Sequence, residues 1–188
     1  MIRRAFLAVA LAFPAAAAIA FTAGDAPPML AAQGSLQAAF TPGDDVEGLV
    51  VKVIAAARRQ VLVQAYLLTS KKIARALVAA HRDGIDVRVL VDAGQLAKGR
   101  WSSAVSGLAA AGIPVGLETR YRNAHNKIVV TDAGTPDAAV LTGSFNFTWT
   151  AQHKNAENIL IARKNPPLAA RYAANWERHW QDATPYKK

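Results

Sequence analysis

The chain has 188 residues, 52% of them apolar, enough for one domain with a sizeable core. It contains no cysteine, which excludes disulfides, thiolate zinc sites and cysteine nucleophiles. Lysine and arginine number 22 against 13 acidic residues, and the resulting net charge of +9 favours a polyanionic partner: nucleic acid or an anionic membrane surface.

Residues 1–20 read as a secretory signal: Arg3 and Arg4, an apolar run from Ala5, then small residues ending in Ala18-Ile19-Ala20. An uncleaved membrane anchor is the rival, but Pro14 and the alanine-rich end favour cleavage. Cleavage implies a periplasmic or secreted location, no stable membrane span, and a mature chain of net charge +7 once Arg3 and Arg4 are gone. Residues 21–34, with Pro27-Pro28, read as a flexible lead-in. Residues 35–182 read as the domain, and 183–188 as a solvated tail ending in Lys187-Lys188.

Within the domain, 35–41 is a short strand closed by Pro42-Gly43. Asp44 or Asp45 then caps a helix to about residue 59, with Val46, Leu49, Val50, Val53 and Ile54 at helical spacing. Residues 61–68 have the composition of a buried strand. Thr69 or Ser70 caps a helix over 71–81 that ends at Asp83-Gly84, and 86–92 is a further strand. A weaker helix spans 95–111, interrupted by Gly99 and Gly107, before a strand at 113–117. This alternation implies parallel pairing with helices on the sheet faces. The expected fold class is α/β: a single-domain mixed β-sheet of about six to eight strands, flanked by helices on both faces.

The chemistry-bearing residues converge on 125–146. Ile128-Val129-Val130 is a β-branched run, and the two-residue period of a strand places His125 and Lys127 on one face. Residues 133–137 read as a hairpin connection, after which a strand over 138–142 returns Ser144 and Asn146 beside the first pair. An imidazole and an ammonium side by side make an anion site. Lys127 and the Asn146 amide can hold phosphate oxygens and stabilise charge in a transition state. His125 can attack phosphorus as neutral imidazole, forming a phosphohistidine that water resolves. A carboxylate on the other ring nitrogen would fix the tautomer; Glu157, opening the apolar run 158–161, is the candidate.

The pattern H-x-K-x4-D, from His125, Lys127 and Asp132, followed by G-S-x-N from Gly143, Ser144 and Asn146, resembles the signature of the phospholipase D superfamily. With Phe147-Thr148 and Glu157 added, the chain is similar to the small secreted bacterial endonucleases that carry one such motif, over about residues 35–180. The spacing between Asp132 and Gly143 is longer than the family's usual one, which a hairpin loop absorbs at little cost. The resemblance implies a phospholipase D-like fold, DNA as substrate, single- or double-stranded, and independence from divalent metals.

Other residues have weaker readings. Asp132 ends a strand before a turn, where aspartate commonly satisfies backbone groups, and is read as structural with Gly143. Arg120, Arg122 and Lys154 are candidate substrate contacts, the arginines against an equally good reading as a solvated strand end. Trp149, Gln152 and His153 lie near the motif in sequence. The stripe Tyr172, Trp176 and Trp180 on the last helix, which starts at Pro166-Pro167, is read as core. His81, His153 and His179 are scattered, and no metal motif or Gly-rich phosphate loop occurs, so no metal or other cofactor is indicated.

The expected function is metal-independent hydrolysis of DNA phosphodiester bonds, with RNA as the alternative polymer. A phospholipase D acting on phosphatidyl esters would use the same residues, and a non-catalytic nucleic-acid-binding protein is the third reading. One H-x-K motif supplies one histidine, whereas the reaction needs a nucleophile and an acid standing opposite it. The expected unit is therefore a symmetric homodimer with a shared active site.

Overall fold

The structure is a computed structural model that describes residues 26–97 and 102–187; the expected signal segment lies outside the described residues. Strand β1 (Ser35–Thr41) leads to helix α1 (Val46–Ala55), whose N-terminus is capped by the Asp45 carboxylate accepting from Gly48 N. Strand β2 (Gln60–Ala65), helix α2 (Lys71–Arg82) and strand β3 (Asp86–Asp92) follow, with Ser70 capping α2 through Ile73 N. Of the expected helix over 95–111, the described residues show α3 (Ala93–Ala97) and α4 (Ser102–Ala110). Gly107 lies inside α4 and does not end it.

Strand β4 (Val115–Glu118) completes the alternating part. Then come β5 (Lys127–Thr131), β6 (Ala139–Gly143), the one-turn helix α5 (Trp149–His153), β7 (Glu157–Arg163) and the long helix α6 (Pro166–Asp182). Part of the expected tail is paired with the sheet. Thr184–Pro185 form β8, antiparallel to β4, and Tyr186 N donates to Val115 O at 2.8 Å. Of the lead-in, residues 26–34 have no regular secondary structure apart from a bend, and Gln33 O accepts from the Asn165 side chain at 3.4 Å.

The eight strands form one mixed sheet in the order β1-β7-β6-β5-β2-β3-β4-β8. Strands β2, β3 and β4 are parallel, as their intervening helices require; β5, β6 and β7 run antiparallel through short connections. The two halves join where β2 pairs antiparallel with β5. Helices cover both faces. The larger cluster packs α1, α2 and α4 against Val63, Val89, Val129, Leu141 and Ile161. On the other face α6 packs Ala169 and fully buried Trp176 over Leu62, Leu90, Ile128, Val130 and Val140. Trp176 Nε1 donates to Val63 O at 2.9 Å, satisfying the indole inside that core.

The register puts the C-terminal ends of β2, β3 and β6 and the N-terminal ends of β5 and β7 on one edge of the sheet. The motif residues collect there.

Candidate active site

Lys127 is the first residue of β5, paired with Ala65 and only 4% exposed. Its ammonium donates to the backbone carbonyl of His125 at 2.6 Å. His125 precedes the strand, so the two are not joined by strand alternation as expected. The side chain of Lys127 folds back under the main chain of His125, and a third group holds both. The Tyr66 ring, just beyond β2, lies 4.3 Å from the imidazole centroid, with the Lys127 ammonium 4.8 Å over its face. Tyr66 N also donates to Asn126 O at 2.9 Å, and the Tyr66 hydroxyl accepts from Gln95 Nε2 at 2.6 Å.

Asp92, at the C-terminal end of β3 and 2% exposed, anchors the approach to the histidine from the other side. One carboxylate oxygen accepts from Ala124 N at 2.7 Å, one residue before His125, and the other accepts from Gln95 N at 2.7 Å. Tyr66 and Asp92 are the site residues that sequence reasoning missed. Tyr66 reads locally as part of the strand over 61–68 and Asp92 as an ordinary strand terminus, and their relation to His125 exists only across β2, β3 and β5.

The electrostatics follow from this geometry. Desolvation and the Lys127 charge lower the His125 pKa below its ordinary value, with Asp92 opposing them. Burial lowers the Lys127 pKa to about 8, against the pull of Glu157. Near neutral pH the pair is therefore a neutral imidazole beside an ammonium, the protonation state required for nucleophilic attack next to an anion clamp.

On β6 and β7 a second group forms. Gly143 permits the close approach of the two strands: a Cβ there would stand 2.2 Å from Asn158 O, which accepts from both Ser144 N at 3.1 Å and Phe145 N at 3.3 Å. Ser144 Oγ then donates to Glu157 Oε2 at 2.6 Å and accepts from Asn158 N at 3.0 Å. Asn155 Nδ2 donates to Glu157 Oε1 at 2.8 Å. Both Glu157 oxygens are thus engaged by Ser144 and Asn155. The expected carboxylate–imidazole bond between Glu157 and His125 is not made in the single chain, because the chain reversal at Gly143-Ser144 delivers a hydroxyl to the carboxylate first. Asn146, just beyond β6, carries a buried Oδ1 with no hydrogen-bond partner.

The remaining candidates separate. Asp132, 3% exposed, accepts from Arg58 N, Arg59 N and Gln60 N at 2.7–3.1 Å, which fixes the turn into β2 at the edge opposite the site. Its φ of 52° bends the chain away from β5, and the lengthened connection to β6 is a turn closed by Thr135 N on Asp132 O and Ala138 N on Thr135 O. Arg120 is paired with Asp182 of α6 at 2.7 Å, and Tyr121 stacks on His179 at 5.1 Å, so this stretch is strapped to α6. Arg122 is exposed on the same strap. Lys154 follows α5, 5.9 Å from the Trp149 ring centroid.

An exposed imidazole beside a buried ammonium at the edge of a mixed α/β sheet, with Asn146 just beyond the neighbouring strand β6, defines a phosphodiesterase by its fold and site. The chain belongs to the phospholipase D superfamily: the family described as "Cardiolipin synthase, PLD-like domain" matches residues 50–180. It is 35% identical over 144 residues to a phospholipase D of Rickettsia prowazekii, covering 77% of this chain and 67% of that one. It is 34% identical over 137 residues to the mitochondrial cardiolipin hydrolase of Xenopus laevis, covering 73% of this chain and 61% of that one. The crystal structure of the phospholipase D family member Nuc from Salmonella typhimurium superposes with a TM-score of 0.73 at 29% identity, covering 82% of this chain and 99% of that one.

Proposed function

We propose that this protein is an endonuclease that hydrolyses DNA phosphodiester bonds without a metal ion, with little sequence preference, through a covalent phosphohistidine. The observation that carries the reading is the His125–Lys127 pair, whose environment lowers the imidazole pKa while leaving the lysine charged below about pH 8. Neutral His125 attacks phosphorus; Lys127 and the Asn146 amide hold the non-bridging oxygens as charge builds on them. The departing ester oxygen takes a proton from an acid in line behind it. Water then attacks the phosphohistidine, the imidazole leaves, and the product phosphate monoester is released. The net charge of +9 supports a polyanionic substrate, and among the described residues no group of three or more His, Cys, Asp or Glu side chains is set to hold a metal ion.

The in-line acid is His125 of a second copy, in a symmetric homodimer. What supports pairing is a bare sheet face. Helix α6 covers β5, β6 and β2, but on β1 and β7 the side chains of Leu36 (66% exposed), Phe40 (57%) and Leu160 (41%) are open. The register places all three on the α6 side of the sheet, in a strip ending at Asn158, whose amide donates to Ser144 Oγ. A second copy seated on that strip brings its own site to the same edge, and the two His125 rings share one phosphate and one proton.

A second reading is hydrolysis of phosphatidyl esters, which the names of the Rickettsia and Xenopus relatives favour. The test is plasmid nicking in EDTA, run beside release of headgroup from anionic phospholipid vesicles, with His125→Ala as control in both. Nicking that survives EDTA and is lost in the variant is the expected result. Complete loss in EDTA, or turnover of vesicles alone, overturns the nuclease reading.

A further inference from the structure

Trp149 is an aromatic side chain the fold does not use. It is 56% exposed at the start of α5, while Ala151 on the inner side of the same turn is fully buried. The helix beneath it is pinned firmly. Thr148 Oγ1 accepts from Ala151 N at 3.0 Å, and the Thr41 hydroxyl lies 3.1 Å from Ala151 O and 3.0 Å from Asn155 O. The Gln152 side chain accepts from Glu47 N at 2.8 Å and donates to Asp44 O at 2.9 Å. A side chain held outwards on so constrained a turn is presented to solvent in a fixed direction.

Both ends of α5 are tied to the active site. Asn146 O accepts from Thr148 N at 2.7 Å just before the helix, and Asn155, just after it, donates to Glu157. Around the indole stand the His153 ring at 4.6 Å and the Lys154 ammonium at 5.9 Å from its centroid. The lysine lies at the outer limit of a cation–π contact, so it can turn to an anion at small cost. Thr150, His153, Lys154 and Asn155, its neighbours along the turn, are all exposed and polar. A flat aromatic face with a cation beside it, one short turn from a phosphodiester site, matches a nucleotide: base on the ring, neighbouring phosphate on the cation.

We propose that Trp149 and Lys154 form a subsite that stacks an unpaired nucleobase flanking the scissile phosphodiester, so that single-stranded nucleic acid is the preferred substrate. This rests on the nuclease reading and adds substrate selection to it. Stacking on an aromatic side chain is worth about 1–3 kcal/mol per base, which converts to roughly 5- to 150-fold in kcat/KM.

The experiment is a cycle between protein and substrate. Wild type, Trp149→Ala and Trp149→Phe are assayed for kcat/KM on a single-stranded oligodeoxynucleotide and on an oligomer of equal length made of abasic units. Wild type should prefer the base-bearing strand by about tenfold or more. Trp149→Ala should lose most of that preference, and Trp149→Phe should retain most of it. Lys154→Ala should lower kcat/KM on both strands alike, since both carry phosphates. Equal wild-type rates on the two strands, or an undiminished preference in Trp149→Ala, overturns the subsite while the nuclease reading stands. Failure of wild type to cut either strand sinks the nuclease reading itself. Dissociation of the protein by Trp149→Ala, or a loss confined to binding of anionic vesicles, assigns the tryptophan to a partner copy or a membrane and also overturns the subsite.

Discussion

The two halves of the sheet are built to different rules. In the parallel half, β2 and β3 are buried on both faces: Val61, Leu62, Val63 and Ala65, then Val87, Val89, Leu90 and Val91, are all under 5% exposed. In the antiparallel half, β1 and β7 alternate, with Ala39, Ile159 and Ile161 inside and Leu36, Phe40 and Leu160 outside. The crossover helices α2 and α4 cover one face of the parallel strands and α6 covers the other, whereas α6 leaves Leu36, Phe40 and Leu160 of β1 and β7 open. The parallel half is the frame: it supplies Tyr66 and Asp92, which hold the His125 approach. The antiparallel half supplies Lys127, Ser144, Asn146 and Glu157, and leaves an open face beside them.

That division predicts where activity and stability part. The largest effect belongs to the antiparallel edge: His125→Ala should lower nicking by at least about 10³-fold while the melting temperature holds, since the side chain is exposed and serves chemistry alone. Trapping of labelled phosphate on wild type but not on the variant checks the covalent step. Asn146→Ala, which removes an oxyanion contact, should cost about 10²–10³ in kcat with the fold intact.

The pH profile sharpens the pairing of the two charged groups. The rate should rise as His125 loses its proton below pH 6.5 and fall as Lys127 loses its own near pH 8. Stability should move the opposite way above that point. The folded Lys127 pKa lies below the unfolded 10.5, so between about 8 and 10.5 the unfolded chain binds more protons and stability rises with pH. A rate that keeps climbing through pH 9 would count against Lys127 as the charged clamp.

Smaller, structural effects compare the halves directly. Leu90→Ala, fully buried in the parallel half, should cost about 2–5 kcal/mol in denaturant unfolding. Leu160→Ala, 41% exposed in the antiparallel half, should cost under about 0.5 kcal/mol in the monomer. Its effect should appear as concentration-dependent dissociation in sedimentation if the bare face seats a second copy. Equal stability losses in the two variants would remove the distinction.

Much of this protein was written in local pattern. The buried strands that became β2 and β3, the capped helix at 71–81 and the alternation that demands a parallel sheet are short-range features, carried by side-chain period and capping chemistry. The Trp176 stripe was legible as core for the same reason. Tertiary structure decided what depends on strands meeting. Glu157 accepts from Ser144 because Gly143 lets β6 press against β7. Tyr66 and Asp92 belong to the site because β2 and β3 end at its edge, and Thr184–Pro185 is a strand because β4 leaves its last edge unpaired. None of these contacts has a period in the sequence: each joins residues distant along the chain, and only the sheet's order sets which termini meet.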